Sequence, residues 1–292
     1  MHIKPYKQRI TSFSAHQVVD ILRLDILHPV ISGNKFFKLR YYVEAAITRD
    51  TTTIASFGGP YSNHIVALAH TANEAGLKSI GYIRTNENEP TTPSLAEAKS
   101  YGMQLIYLGR SEFQSKKQAI LFESKNNPTT YFVDEGGYGA LGAKGAATIL
   151  TDHDTQQYDY IIAAVGTGTM LAGCINAAQP NQKVIGIPVL KNEGTIHSAI
   201  NALLTDKNKA YTLLHQFHQG GYAKINPTII KFMNDFWEKE KIPTDIVYTS
   251  KLLFAVSSLI NENYFEKGSS ILVIHSGGLQ GNRSLPAGTL QF

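Results

Sequence analysis

The residues with the clearest capacity for chemistry lie in the run Ser32-Gly33-Asn34-Lys35-Phe36-Phe37-Lys38-Leu39. Three residues that favour a helix cap precede Lys35. Apolar residues from Phe36 to Ile47 then recur at the spacing of a buried helix face, with Asp50 beyond. A lysine in the first turn lies at the positive end of the helix dipole, which disfavours its ammonium form. An amine held partly neutral is what a Schiff-base catalyst needs. The same spacing also suits a surface lysine in a first turn, so other motifs must decide.

Three motifs bear on that choice. In the first, Tyr160-Ile161-Ile162-Ala163-Ala164-Val165 runs into Gly166-Thr167-Gly168-Thr169-Met170. Glycines let backbone amides converge, threonine hydroxyls add donors and a following helix adds its dipole, which together describe a phosphate cradle. The loop lacks the Walker lysine and the full G-x-G-x-x-G spacing, which argues against nucleoside triphosphates and dinucleotides. A plain tight turn is the alternative. In the second, Ser56-Phe57-Gly58-Gly59-Pro60-Tyr61-Ser62-Asn63-His64 joins a strand to a helix. Ser62 stands near the cap, where free amides hold a carboxylate and Ser62 and Asn63 orient it. Capping alone would explain Ser62 or Asn63, and His64 is equally read as an exposed first-turn histidine. In the third, Ile271-Leu272-Val273-Ile274-His275-Ser276-Gly277-Gly278 ends an apolar strand at a hydroxyl and two glycines, the end at which α/β folds bind ligands.

The elements that must position these residues alternate between strand and helix. Strands are read at 52–57, 79–84, 104–108, 131–133, 158–165, 183–189 and 270–275. Helices are read at 62–75, 93–101, 114–126, 140–151, 170–178 and 252–263. That alternation implies parallel sheets with helices on both faces, and the number of units implies two three-layer α/β domains. The longest exposed connections are read at 85–92 and 216–223.

Composition sets the limits. The 292 residues allow two domains, and 43% apolar with 17% charged residues is ordinary globular usage. Scattered lysines and a net charge of +4 suit a small anion better than a nucleic acid. No apolar run reaches the roughly 20 residues that span a bilayer, and the N-terminus has no signal-peptide pattern. Cys174, the single cysteine, leaves neither a disulfide framework nor a cysteine pair for a metal. The expectation is a cytoplasmic protein without metal, membrane or nucleic-acid partners.

Taken in order, these motifs (Asn-Lys with a second lysine three residues on, Gly-Gly-x-x-Ser-Asn, Gly-Thr-Gly-Thr, and a terminal His-Ser-Gly-Gly) resemble one known set. It is the 1-aminocyclopropane-1-carboxylate deaminase and D-cysteine desulfhydrase family of pyridoxal-phosphate enzymes, and the resemblance runs from about residue 14 to 287. It implies the tryptophan-synthase β-like fold (fold type II), pyridoxal 5'-phosphate as cofactor and a homodimer. It implies Lys35 as the Schiff-base lysine and Lys38 as a phosphate contact beside Gly166, Thr167, Gly168 and Thr169. Asn63 would bond the cofactor's phenolic oxygen, Ser276 would partner its ring, and Ser62, Asn63 and His64 would meet the substrate. Tyr222 and Tyr248 match the family's two active-site tyrosines, one stacking on the ring and one approaching the substrate. The expected division is a large cofactor-binding domain of residues 1–48 plus 149–292 and a small domain of residues 49–148.

Two positions separate the activities within the family. Ring-opening deaminases resemble one another in carrying a glutamate directly after the second tyrosine, and an apolar residue before the two glycines. Here those positions hold Thr249 and Ser276, as in the desulfhydrases that this chain is similar to. A carboxylate beside the pyridine nitrogen keeps it protonated and strengthens the electron sink that a poor carbon leaving group needs. A hydroxyl suffices when thiolate departs. The implied reaction converts D-cysteine to pyruvate, hydrogen sulfide and ammonia. The alternatives are ring opening of the cyclopropane amino acid to 2-oxobutanoate and ammonia and, more distantly, a non-catalytic phosphate-ligand binder.

Overall fold

The computed structural model describes residues 4–13, 16–124, 127–191, 193–221 and 224–292, the side chain of Glu193 excepted. The chain falls into two compact units. One comprises Met1–Asn34 with Ala146–Phe292, the other Lys35–Gly145.

The first unit is built on a six-stranded sheet in the order β1-β2-β10-β7-β8-β9. Its strands are β1 (Lys7–Ile10), β2 (Val18–Arg23), β7 (Tyr160–Val165), β8 (Lys183–Pro188), β9 (Thr212–Leu213) and β10 (Ser270–His275). Only β1 is antiparallel, paired with β2 at one edge. All six residues of β7 are buried, as expected of a central parallel strand covered on both faces. One face of the sheet, carrying Ile162, Ile187, Ile271 and Val273, forms a core with α8 (Pro227–Glu240) and α9 (Thr249–Asn261). Burying each such side chain contributes about 1.5–3 kcal/mol. On the other face α6 (Thr169–Ala177) lays Leu171 over Gly186 of β8, and α7 (Glu193–Ala202) packs on α6.

The second unit has a four-stranded, fully parallel sheet in the order β5-β4-β3-β6. The strands are β3 (Thr53–Gly58), β4 (Lys78–Arg84), β5 (Gln104–Leu108) and β6 (Thr130–Val133). Helix α2 (Asn63–Glu74) packs on β3, β4 and α3 (Pro93–Ser100). Phe113 of α4 (Phe113–Glu123) meets Phe57 of β3 edge-on, beside Leu108. Helix α1 (Asn34–Thr48) buries Phe37, Leu39, Tyr42, Val43 and Ala46, while Ile47 at the end of the expected apolar face is exposed. Helix α5 (Ala140–Thr151) crosses α1 so closely that a Cβ on Gly145 would lie 2.0 Å from the Phe37 carbonyl oxygen.

The strand–helix alternation read from the sequence is present, with elements shifted by up to three residues at their ends. Five strands and helices exceed that reading: β1 and β2 precede the first expected strand, and α7, β9 and α8 lie between the strand expected at 183–189 and the helix expected at 252–263. The expected helix at 114–126 is α4, which ends at Glu123, and residues 125 and 126 lie outside the described ones. Within the connection read at 216–223, a single turn of 3-10 helix spans His215–Phe217. No helix among the described residues is long and apolar enough to cross a membrane.

Candidate active site

The chain enters α1 through a backbone crossing. Gly33 has φ +68°, and its N–H donates to the Leu24 carbonyl at 2.7 Å. The Asn34 N–H donates to the Ser276 carbonyl at 3.1 Å. A Cβ on Gly33 would lie 1.8 Å from that same Ser276 oxygen, and a Cβ on Gly277 would lie 2.9 Å from the Gly33 Cα. Two main chains thus pass with no side chain between them, which only glycine permits. Of the three residues expected to cap the helix, Asn34 is already its first residue.

Lys35 and Lys38 follow on α1, one turn apart on the same side. The Lys38 Nζ donates to the Gly136 carbonyl at 2.9 Å, and its amine lies close enough to that of Lys35 for the two to interact. Burial, opposed by the Lys38 contact, lowers the Lys35 amine to about 8. Burial and then the neighbouring Lys35 hold Lys38 well below the usual lysine range. Withdrawal of the amine from water thus lowers Lys35 beyond the helix dipole invoked from the sequence.

The second motif is arranged as a capped helix start. Ser62 adopts an extended conformation, and its Oγ accepts from the Ile65 N–H at 3.3 Å as the N-cap of α2. Asn63 and His64 open the helix. His64 is not the exposed first-turn histidine that the sequence also allowed. It is 2% exposed, and its Nε2 lies 2.8 Å from the Oγ of Ser56 on β3. Burial, followed by Lys35 and Lys38, holds its imidazole well below its usual range, so the ring is neutral. Lys35, Lys38, Ser62, Asn63 and His64 all belong to the second unit.

The first unit carries the other expected residues. β7 leads into Gly166-Thr167-Gly168, and α6 begins at Thr169. Gly168 is the N-cap with φ +83°, and a Cβ there would strike Ile200 Cγ1 at 2.7 Å. The Thr167 and Thr169 hydroxyls are 3.0 Å apart. The Tyr248 ring lies against Gly166, where an added Cβ would be 3.1 Å from its Cε1. Ser276 is buried just past β10. Tyr222 lies outside the described residues.

A family model described as pyridoxal-phosphate dependent enzyme matches residues 9–277. The chain belongs to that family. It is 26% identical over 281 residues to a putative 1-aminocyclopropane-1-carboxylate deaminase of Thermotoga maritima, covering 89% of this chain and 88% of that one. It is 24% identical over 289 residues to the mitochondrial bifunctional D-cysteine desulfhydrase/1-aminocyclopropane-1-carboxylate deaminase of Arabidopsis thaliana, covering 89% and 72%. A crystal structure of a 1-aminocyclopropane-1-carboxylate deaminase homologue superimposes with a TM-score of 0.82 at 23% identity, covering 96% of this chain and 91% of that one. The mixed α/β architecture with mostly parallel sheets is thus the fold type II arrangement, and the enzyme is pyridoxal-phosphate dependent.

The residues present suit that cofactor. Among the described residues neither Lys35 nor Lys38 has a carboxylate partner, so the pair calls for an anion, and an amine near 8 is ready to meet an aldehyde. The Thr167–Thr169 hydroxyls and the α6 N-terminus form a donor set for phosphate. The structure adds residues that the sequence reading passed over. Asp245 is fully buried and accepts from the N–H groups of Val247, Tyr248 and Thr249 at 2.8–2.9 Å, fixing the backbone at Tyr248. Lys251, one turn beyond Tyr248, donates to the Gly221 carbonyl at 2.6 Å. An Asp four residues before a Thr at a helix start is a capping signal that could have revealed Asp245. Nothing in the spacing marks Lys251, whose partner is 30 residues away.

Proposed function

We propose that this enzyme is a lyase that eliminates hydrosulfide from D-cysteine, yielding pyruvate, hydrogen sulfide and ammonia with uptake of one water. When bound, pyridoxal phosphate supplies an electron sink for the charge that develops at the substrate Cα. Lys35 would be the amine that holds the cofactor. Lys38 and the Gly166–Thr169 loop would hold the phosphate, Asn63 the phenolic oxygen, and Tyr248 the ring face. Ser62 and Asn63, at the start of α2, would hold the substrate carboxylate, with His64 beside them. Lys35, Ser62 or a tyrosine takes the Cα proton, and the Cβ–S electron pair leaves with sulfur.

The observation that supports this substrate over the cyclopropane amino acid is at Thr249. Its hydroxyl accepts from the Asp245 N–H at 2.7 Å and donates to Asp245 Oδ1 at 2.8 Å, and the residue is fully buried. A carboxylate at this position would be buried against that of Asp245, so the position favours a hydroxyl. Ser276 would give the ring nitrogen a neutral partner, which is sufficient when the leaving group is a thiolate. Ring opening is the second reading, favoured by the names of the relatives described above.

Steady-state comparison of D-cysteine, L-cysteine and the cyclopropane amino acid tests the choice, with pyruvate, sulfide and 2-oxobutanoate as separate readouts. The expected order puts D-cysteine first. Faster release of 2-oxobutanoate would establish the second reading instead. Lys35→Ala is expected to remove both the absorbance of lysine-bound cofactor near the visible edge and turnover. Retention of both would sink the assignment.

A further inference from the structure

His275 closes β10 one residue before Ser276, and its imidazole is buried in the first unit, 1% exposed. Both ring nitrogens are engaged. Nε2 lies 2.8 Å from the Pro243 carbonyl oxygen, which can only accept, so Nε2 carries a proton. Nδ1 lies 3.3 Å from the Gly277 nitrogen, whose N–H donates to it, and 3.4 Å from Asp25 Oδ1. An N–H donated to a side chain two residues back is the geometry of an Asx turn, here with an imidazole in place of the amide.

The two neighbours of Nδ1 make opposite demands. A bare Nδ1 accepts the Gly277 N–H. A protonated Nδ1 turns its own N–H to Asp25 and leaves the buried Gly277 N–H without that acceptor. Attraction to Asp25 favours the charged ring. Against it, Asp25 already receives Arg23 through Nε at 2.8 Å and Nη2 at 2.7 Å, and both side chains are buried. Carboxylate and guanidinium cancel, so a charged ring would leave the buried cluster with a surplus cation. The other contacts of Arg23, Gln8 Oε1 at 2.5 Å and the Tyr6 ring, add no negative charge. The neutral ring with its proton on Nε2 leaves Asp25 to Arg23 and satisfies Pro243 and Gly277 together.

The ring therefore acts on the main chain at Ser276. The Ser276 carbonyl accepts from the Asn34 N–H at 3.1 Å, and Nδ1 holds the Gly277 N–H of the same peptide unit. Through Nε2 the ring is also tied to Pro243. Asn282 secures the next residues, donating to the Thr244 carbonyl and accepting from the Ile246 N–H, each at 2.9 Å. That segment runs into the head of α9 beside Tyr248. One imidazole thus joins the peptide after Ser276 to the segment that leads to Tyr248.

We propose that His275 is a positioning residue for Ser276: with its proton on Nε2 and its Nδ1 lone pair on the Gly277 N–H, the ring fixes the peptide that aims the Ser276 hydroxyl. The proposal rests on Ser276 partnering the cofactor ring, and it does not depend on which amino acid is the substrate.

Long-range proton–nitrogen correlation NMR of the full-length, cofactor-free chain reads the tautomer, with the His275 signals identified by their loss in His275→Asn. A bare Nδ1 and a protonated Nε2 are expected, and a proton on Nδ1 overturns the proposal. His275→Asn keeps an acceptor for the Gly277 N–H as a true Asx turn and gives up Pro243, whereas His275→Gln keeps the donor to Pro243 and gives up Gly277. In the cofactor-loaded enzyme, assayed with whichever amino acid it turns over fastest, His275→Gln is expected to lower kcat about tenfold and His275→Asn to stay within about threefold of the parent. In a Ser276→Ala background the His275→Gln loss should shrink to within about twofold, because no hydroxyl is left to aim. Equal losses in the two His275 variants, or an undiminished loss without the hydroxyl, overturn the proposal. Ser276→Ala turning over like the parent would overturn the ring-partner reading and the proposal with it. The tautomer signal, which needs no cofactor, distinguishes that failure from a wrong reading of His275.

Discussion

Thr249 and Asp245 satisfy one another at the head of α9. The threonine hydroxyl accepts from the Asp245 N–H and donates to its carboxylate, while that carboxylate gathers three successive backbone N–H groups. Burial raises the Asp245 carboxyl and those bonds oppose the rise. A second carboxylate here would be buried beside the first, with their repulsion added to the cost of burial. Thr249→Glu is therefore expected to destabilise the protein by about 3 kcal/mol, against about 1 kcal/mol for Thr249→Ala, read from urea unfolding midpoints. It should not raise ring-opening activity. A stable Thr249→Glu enzyme that releases 2-oxobutanoate would show this reading of the helix head to be wrong.

Gly33 and Gly76 offer a controlled pair. Both have positive φ, +68° and +71°, but a Cβ on Gly76 meets nothing within 4 Å. Gly76→Ala should cost only the left-handed backbone term, about 1–2 kcal/mol. Gly33→Ala adds a collision with main chain and is expected to exceed about 4 kcal/mol or to yield no folded protein. Thermal unfolding of the two variants side by side checks the difference.

Ser62 combines two roles that substitution can separate. Ser62→Ala is expected to lose about 1 kcal/mol of stability with the cap and to raise KM. Ser62→Asp preserves the cap, so its stability should stay near the parent value, while its negative charge repels a substrate carboxylate and raises KM further. Parallel urea titrations and initial-rate measurements distinguish the two effects.

Lys251 gives a pH signature. Burial lowers its amine from 10.5 to about 8 in the folded chain, with Asp245 opposing. A depressed lysine penalises the folded state wherever the unfolded lysine is charged. The penalty is complete below about pH 8 and fades as pH approaches the unfolded value near 10.5. Stability from this residue thus rises with pH across that window. Lys251→Met lacks the term, so the stability gap between parent and variant should widen in favour of the parent between about pH 8 and 10. A constant gap would exclude it.

The legible parts of this molecule were those whose signal is local. The β7 run, its glycine-threonine turn and α6 announce themselves within a dozen residues, and Ser62 stands three residues before the N–H it caps. Some local signals were passed over. Asn226-Pro227 starts α8 with a side-chain cap to Thr228 and proline in the first turn, an entry marker the sequence offers openly. β2 hides because Asp20 and Arg23 interrupt its apolar run. Asp20 is satisfied there by Arg9 and Tyr158 from elsewhere in the fold, and Arg23 by Asp25 two residues on. The same distinction applies to the site. Lys35 and Lys38 can be placed by helical spacing, but the meeting of Ser56 with His64 depends on how β3 returns beneath α2. The cause of Lys35's lowered proton affinity is burial, which no spacing rule reports.

The Gly33–Gly277 crossing also bears on how such an enzyme can change over time. Where side chains pack, a loss on one side can be made good by growth on the other. Where bare main chain meets bare main chain there is nothing to trade, since neither partner has an atom to give up. The entry to α1 is thus a point of fixed pitch. New substrates would have to be accommodated by replacing residues at the helix starts and strand ends, with the two glycines left untouched.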